Sequence, residues 1–160
     1  YWGKPFNTAG GESKKAWEDI KNNVFKGKCC YCGRNGGKLS IEHLIMFNRS
    51  EFGLHHPGNT VPCCNECNKR SKDADGRYCS WEEHLRIVCK RMGESEKFDE
   101  RKNLILHHMK ISKYKYPDLN NEERHAVRVI AEAIYDGVKT KLDESLKLYF
   151  ELVKSFVKNS

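Results

Sequence analysis

The sequence predicts an α+β protein in which a small centre of two strands and a helix, held by cysteines, is embedded in a mostly helical chain. Three observations support this: helical apolar periodicity near both ends, two cysteine clusters in the middle, and glycine-rich, strand-like segments between them. The 160 residues, 38% of them apolar, suffice for about one domain with one core. We expect an N-terminal helical segment over 1–28, the centre over 29–75 and a helical region over 76–160, packed as one compact unit.

The first element is an amphipathic helix over 12–26. Ala16, Trp17, Ile20 and Val24 recur at three- and four-residue steps, which is the period of one helix face. Gly27 follows the last apolar residues and ends the helix.

The centre lacks the helical periodicity of the first segment and shows strand-like patterns. Residues 38–41 alternate like a short strand, and residues 59–61 suit a second one. Asn65 is a suitable cap for a helix that runs through Cys67 and Lys69 towards Ala74. The pattern therefore predicts strand, strand and helix in that order.

Helical patterns dominate after Ser80, a good N-cap before Trp81. They cover about 81–92, 97–110, 121–136 and 138–158. The last helix carries a long apolar stripe at Val138, Leu142, Leu146, Tyr149, Val153 and Phe156. This stripe could pack on the centre, pair with a second copy of the chain, or lie against DNA.

The spacing of the eight cysteines points to a metal site. Each cluster holds one CxxC pair, and only one register provides it, namely Cys29 with Cys32 and Cys64 with Cys67. Two such pairs aim four sulfurs at one ion and predict a closed, structural zinc site. Disulfides are the alternative, but adjacent Cys-Cys pairs are awkward to bridge and nothing suggests export. The remaining thiols, which we expect to be buried or half-buried, are Cys30, Cys63, Cys79 and Cys89.

The charge balance favours an anionic partner. The net charge is +7 and the pI is about 9.0, which suits nucleic acid or an acidic membrane surface. Apolar runs stay well short of the roughly 20 residues of a membrane helix, and no signal-peptide pattern opens the chain. We expect a soluble, cytoplasmic protein with no membrane partner. Because the sequence starts at Tyr1 without an initiator Met, a further domain before Tyr1 or a larger complex stays open.

A polar constellation lies between the two CxxC pairs. Glu42 and His43 follow a strand-like segment, Asn59 opens the next one, and Asn68 comes directly after Cys67. In this order the residues from about Cys29 to Lys72 resemble the HNH endonuclease family. That resemblance implies the ββα-metal fold, with one catalytic divalent ion and a separate zinc clamp.

The resemblance also implies roles for these residues. His43 is the general base that activates water, Asn59 holds its second ring nitrogen, and Glu42 and Asn68 bind the catalytic ion. The family more often has Asp at the position of Glu42, and His is an alternative to Asn68. An oxygen-only protein shell suits Mg²⁺ or Mn²⁺.

Two groups of residues near this constellation have open interpretations. Lys69, Arg70 and Lys72 are expected on the predicted helix, either beside the scissile phosphate or on a solvated face. His55 and His56 are expected in structural or substrate-facing roles, because neighbouring side chains of an extended segment point apart.

These inferences predict a metal-dependent endonuclease that cuts double-stranded DNA and leaves 5′-phosphate and 3′-hydroxyl ends. By resemblance, a prokaryotic or phage-encoded restriction or defence nuclease fits best. One active site per chain makes a homodimer one route to a double-strand cut. Three alternatives stay open: a non-catalytic zinc module that binds nucleic acid or protein, an RNA-directed nuclease, and a partner-gated subunit of a defence complex.

Overall fold

The computed structural model describes residue 6 and residues 8–35, 37–48 and 50–157. Contacts divide the chain into two units, Tyr1–Asp118 and Leu119–Ser160. The described residues form helices and a small two-stranded antiparallel sheet, so the predicted α+β class is confirmed. The predicted division at residues 28 and 75, with one compact unit, stays a prediction.

The N-terminal helix forms as predicted, with a wider last turn. Helix α1 spans Gly11–Asp19 and continues into a π-helical turn over Ile20–Val24. The amide of Phe25 donates to the Ile20 carbonyl at 3.0 Å, which is the i→i−5 bond of that turn. Ala16, Trp17 and Ile20 are buried, and this face anchors the helix in the core.

The sheet joins the two short strands predicted for the centre. Strand β1 spans Ser40–His43 and strand β2 spans Thr60–Cys63. They are antiparallel, with Ser40 opposite Cys63 and His43 opposite Thr60. A 3₁₀ turn over Pro57–Asn59 leads into β2, so the sheet is one to two residues later than predicted.

Two helices after Ser80 complete the core of the first unit. Helix α2 spans Trp81–Arg91, and the Ser80 hydroxyl accepts a hydrogen bond from the Glu83 amide at 3.1 Å, as the capping signal predicted. A 3₁₀ turn over Ser95–Lys97 leads into helix α3, Phe98–Lys110. The helices bury apolar side chains completely against the cysteine-rich centre, namely Leu85, Val88 and Ile105.

The helix predicted from Asn65 towards Ala74 is wrong, because residues 64–80 form turns, bends and an isolated β-bridge between Lys72 and Tyr78, with no helical residue. The amides of Cys67 and Asn68 both donate to the Cys64 carbonyl, which is a knuckle and not a helix. A second turn follows, in which the Asp73 carboxylate accepts hydrogen bonds from the amides of Asp75 and Arg77. The first helix after the sheet is therefore α2.

The second unit contains one helix where two were predicted. Helix α4 runs unbroken over Asn121–Val157. Gly137 does not interrupt it, since a glycine inside a helix costs only about 1 kcal/mol relative to alanine. The predicted apolar stripe from Val138 to Phe156 is 38–72% exposed. None of the helices in the described part of the chain has the length and apolar character needed to cross a membrane.

Candidate metal centre and active site

Four cysteine sulfurs converge in the first unit. The four are Cys29, Cys32, Cys64 and Cys67. Their sulfur atoms lie within 4.8 Å of one another, and all of the side chains are buried except that of Cys64, which is half-buried. The sulfurs of Cys32 and Cys64 are 3.9 Å apart. Zinc bonded to four thiolates at about 2.3 Å places neighbouring sulfurs about 3.8 Å apart. The donor set and its spacing therefore fit a structural zinc ion.

The other four cysteines surround this group or lie apart from it. All eight are free thiols, and Cys30, Cys63 and Cys89 are buried while Cys79 is half-buried, as predicted. Thiols of Cys30, Cys63 and Cys67 donate hydrogen bonds that lower the pKa of Cys29. Burial raises the pKa of the Cys30 thiol, which keeps it protonated.

His84 attaches α2 to the second knuckle, a role that the sequence did not reveal. Its ring is 2% exposed, and Nε2 donates to the Cys67 carbonyl at 2.9 Å. Nδ1 accepts from the Ser71 amide at 3.1 Å, which fixes the proton on Nε2. The only available signal was the inward position of His84 on the apolar face of α2.

Glu42 forms a buried ion pair with Arg70. Nε and Nη2 of Arg70 lie 3.1 and 2.5 Å from Oε1 of Glu42, and the two side chains are 3% and 13% exposed. Arg70 also donates to the carbonyls of His43 and Leu44, at 2.9 and 3.3 Å. The expectation that Arg70 faces DNA phosphates is corrected here, since its guanidinium is turned inward and occupied by these groups. Lys69 and Lys72 are exposed.

Glu42 and Asn68 have oxygen atoms suited to a hard divalent ion. The Asn68 amide nitrogen donates to the Ser40 hydroxyl at 3.0 Å. Because Ser40 and Glu42 are two residues apart on β1, they point to the same face, and Asn68 is brought to that face. Oε2 of Glu42 and Oδ1 of Asn68 have no hydrogen-bond partner among the described residues. These two oxygens fit the donor chemistry of Mg²⁺ or Mn²⁺.

His43 ends β1 directly after Glu42, and its ring contacts a second histidine. Nε2 of His43 lies 2.8 Å from Nδ1 of His55. Burial, followed by the charge of His55, lowers the pKa of His43 to about 4. Nδ1 of His43 has no hydrogen-bond partner in the described ranges, so none of those residues occupies this nitrogen. His43 is therefore a neutral imidazole at physiological pH, with one ring nitrogen held and the other available.

Asn59 closes the loop between the strands, and its side chain makes no hydrogen bond to His43. Its side chain is fully buried: Oδ1 accepts from the Ile45 amide at 2.7 Å, and Nδ2 donates to the carbonyls of Ile45 and Leu54 at 2.8 and 2.9 Å. The expectation that Asn59 holds the second nitrogen of His43, through its side chain or its backbone carbonyl, is thus corrected, because the side chain binds loop backbone and the carbonyl accepts from the Leu44 amide at 3.0 Å. Gly53 packs so closely here that a Cβ would lie 2.1 Å from the Ile45 oxygen.

The two adjacent histidines of this loop have different surroundings. His56 is 5% exposed, and its Nδ1 accepts from the Gly58 amide at 3.0 Å, a structural role. Burial lowers its pKa to about 4. His55 is exposed and reaches His43. The side chains of His55 and His56 thus point apart, as expected, and His55 contacts His43, the candidate general base.

Comparison with family models, curated proteins and solved structures found no match to this chain.

Proposed function

We propose that the chain is a metal-dependent DNA endonuclease of the HNH type. The observation that carries the proposal is the arrangement at the end of β1, where His43 directly follows Glu42 and keeps one ring nitrogen unused by the described residues, and where Ser40 of the same strand binds Asn68. The four-cysteine group, which fits zinc, anchors both ends of this hairpin. A restriction or defence role in the cytoplasm of a prokaryote, or a phage-encoded one, is the setting we propose.

In this mechanism His43 takes the proton from the attacking water through Nδ1. A neutral imidazole is the form that can accept a proton, and the low pKa of His43 keeps it neutral at physiological pH. Glu42 and Asn68 would hold Mg²⁺ or Mn²⁺, which would supply neutralisation of the negative charge that develops during phosphodiester hydrolysis. Exposed Lys69 and Lys72, with the net charge of +7, attract the DNA backbone.

Cleavage of supercoiled and linear duplex DNA tests this proposal. The zinc-loaded chain is assayed with Mg²⁺ or Mn²⁺ and without either, since a chelator would also remove zinc. We expect His43→Ala to lose about 100-fold or more of the activity, whereas His107→Ala, an exposed histidine on α3, retains it. Loss of activity equal in both variants, or cutting without a divalent ion, contradicts the proposal. Single-stranded RNA is assayed in parallel, and its cleavage in place of DNA identifies an RNA-directed enzyme.

A non-catalytic zinc module that binds nucleic acid is the second candidate. The Glu42–Arg70 pair favours it, because a guanidinium already neutralises the carboxylate that the catalytic ion would use. This candidate predicts DNA retention in a mobility-shift assay, without cleavage at any Mg²⁺ or Mn²⁺ concentration. His43→Ala would then leave binding unchanged.

A partner-gated subunit is the third candidate, and the exposed apolar stripe of α4 favours it. Exposed apolar patches of this extent are typical of interaction surfaces, with a second copy or another protein. This candidate predicts that the isolated chain is inert and gains the His43-dependent activity when its partner is added.

A further inference from the structure

The contact between His43 and His55 requires a defined distribution of protons. A hydrogen bond of 2.8 Å between two imidazole nitrogens needs one nitrogen that donates and one that accepts. In a neutral imidazole only one of the two nitrogens carries a proton. The direction of this bond therefore determines which nitrogen of His43 is left as a base.

The surroundings of His55 favour one direction. Partial desolvation of the otherwise exposed ring lowers the pKa of His55, and a hydrogen bond to the backbone of Phe6 opposes this shift. A backbone group favours the protonated ring when its carbonyl accepts the ring proton. Because Nδ1 of His55 faces Nε2 of His43, Nε2 is the ring nitrogen of His55 left for this backbone group. A proton on Nε2 of His55 leaves its Nδ1 as the acceptor for Nε2 of His43.

The backbone around the pair holds both rings in place. The Asn59 amide ties Ile45, two residues after His43, to Leu54, which directly precedes His55. The Leu54 amide donates to the Tyr116 hydroxyl at 3.1 Å. The Phe6 ring packs on His55 with a centroid distance of 5.1 Å. His55 is thus held in place by three parts of the chain, represented by Asn59 at the closure of the loop, Tyr116 after α3 and Phe6 near the N-terminus.

We propose that His55 is a positioning residue that sets the tautomer and orientation of His43, so that Nδ1 of His43 faces outward as the base. In this arrangement Nε2 of His43 donates to Nδ1 of His55, whose ring packs on Phe6. The role of Nδ1 of His43 as the catalytic base rests on the proposed nuclease function. The assignment of the His43 tautomer does not depend on that function. The sequence showed both histidines but not their pairing, because twelve residues separate them.

The first test is nitrogen-15 NMR spectroscopy of the zinc-loaded chain at neutral pH, which needs no activity. We expect a scalar coupling across the hydrogen bond between Nε2 of His43 and Nδ1 of His55, with the His43 proton on Nε2. Absence of the coupling in the folded protein, or a His43 proton on Nδ1, overturns the proposal.

The second test uses matched variants in the cleavage assay. His55→Phe keeps the ring shape against Phe6 but removes the acceptor, and we expect kcat to fall about 10- to 100-fold with KM little changed. His55→Gln offers an amide oxygen to Nε2 of His43 and should restore part of that loss. His107→Phe serves as the control. An active wild type whose kcat is unaffected by His55→Phe overturns the positioning role.

The two tests separate the two proposals. A wild-type chain that shows the coupling but cuts no substrate refutes the nuclease function of the chain by itself and supports the tautomer assignment. A chain that cuts DNA but lacks the coupling refutes the tautomer assignment and supports the nuclease function.

Discussion

The Glu42–Arg70 pair gives the sharpest test of how the centre is held together. Both side chains are almost fully buried, and Arg70 makes two hydrogen bonds to the carboxylate and two to the carbonyls of His43 and Leu44. Removing one partner of a buried pair leaves an uncompensated charge, which costs about 3–5 kcal/mol. We therefore expect Glu42→Gln to lower the free energy of unfolding by about 3–5 kcal/mol. Arg70→Met should cost as much or more, since the carbonyls also lose their donor.

The same centre contains a matched exposed pair. Arg34 and Glu66 also approach to 2.5 Å, but their side chains are 51% and 70% exposed. Solvent screening limits such a pair to about 0–1 kcal/mol. Glu66→Gln should therefore change the free energy of unfolding by about 1 kcal/mol or less. The two pairs differ in burial while the N–O distance is the same.

Urea unfolding followed by tryptophan fluorescence, with zinc in excess, measures both effects. The three tryptophans of the sequence lie before residue 119, so their fluorescence reports the first unit without a contribution from α4. A double-mutant cycle isolates the coupling energy of each pair. If Glu42→Gln costs no more than Glu66→Gln, the assigned role of the buried pair is refuted.

Three further predictions concern the metal, the loop and pH. Cys64→Ser should abolish zinc binding and unfold the first unit, because structural zinc contributes about 10–16 kcal/mol; zinc release and fluorescence check this, and Cys79→Ser should behave like the wild type. Asn59→Ala loses three buried hydrogen bonds of about 1 kcal/mol each, so urea unfolding should show a loss near 3 kcal/mol, against almost none for exposed Asn65→Ala. The folded pKa of His56, about 4, lies below the ordinary value of 6.5, so the unfolded chain binds more protons below pH 6.5 and stability should fall between pH 6.5 and 4. A slope equally steep in His56→Gln would contradict the last prediction.

The sequence was sufficient for features fixed by local spacing. A CxxC pair specifies its own turn, so the assignment of Cys29, Cys32, Cys64 and Cys67 could be made from the sequence. The Ser80 cap likewise located the start of α2, since capping depends on residues three apart. Alternating and glycine-rich segments placed both strands to within two residues.

Features that depend on distant partners could not be predicted from the sequence. Arg70 looked like part of a basic surface, and only its contact with Glu42, 28 residues earlier, turns it inward. Asn59 looked like a partner of His43, but its amide is taken by loop carbonyls. The false helix over 65–74 had a local counter-signal, since Asp73 and Gly76 are typical turn residues.

The loop between β1 and β2 is closed where Ile45 meets Leu54, through the Asn59 side chain. The part of the loop beyond this closure, around Asn48 to Glu51, can therefore change without altering the positions of His43 and His55. Asn59 and Gly53 hold the closure together, while the part beyond it is a separate turn in which the Asn48 side chain accepts hydrogen bonds from the amides of Ser50 and Glu51. The entropy of closing a loop rises slowly with length, by about 0.6 kcal/mol for each doubling. A segment inserted beside Ser50 would thus enlarge the solvent-exposed part of the loop at a small cost in loop-closure free energy. The distance between His43 and His55 would be conserved.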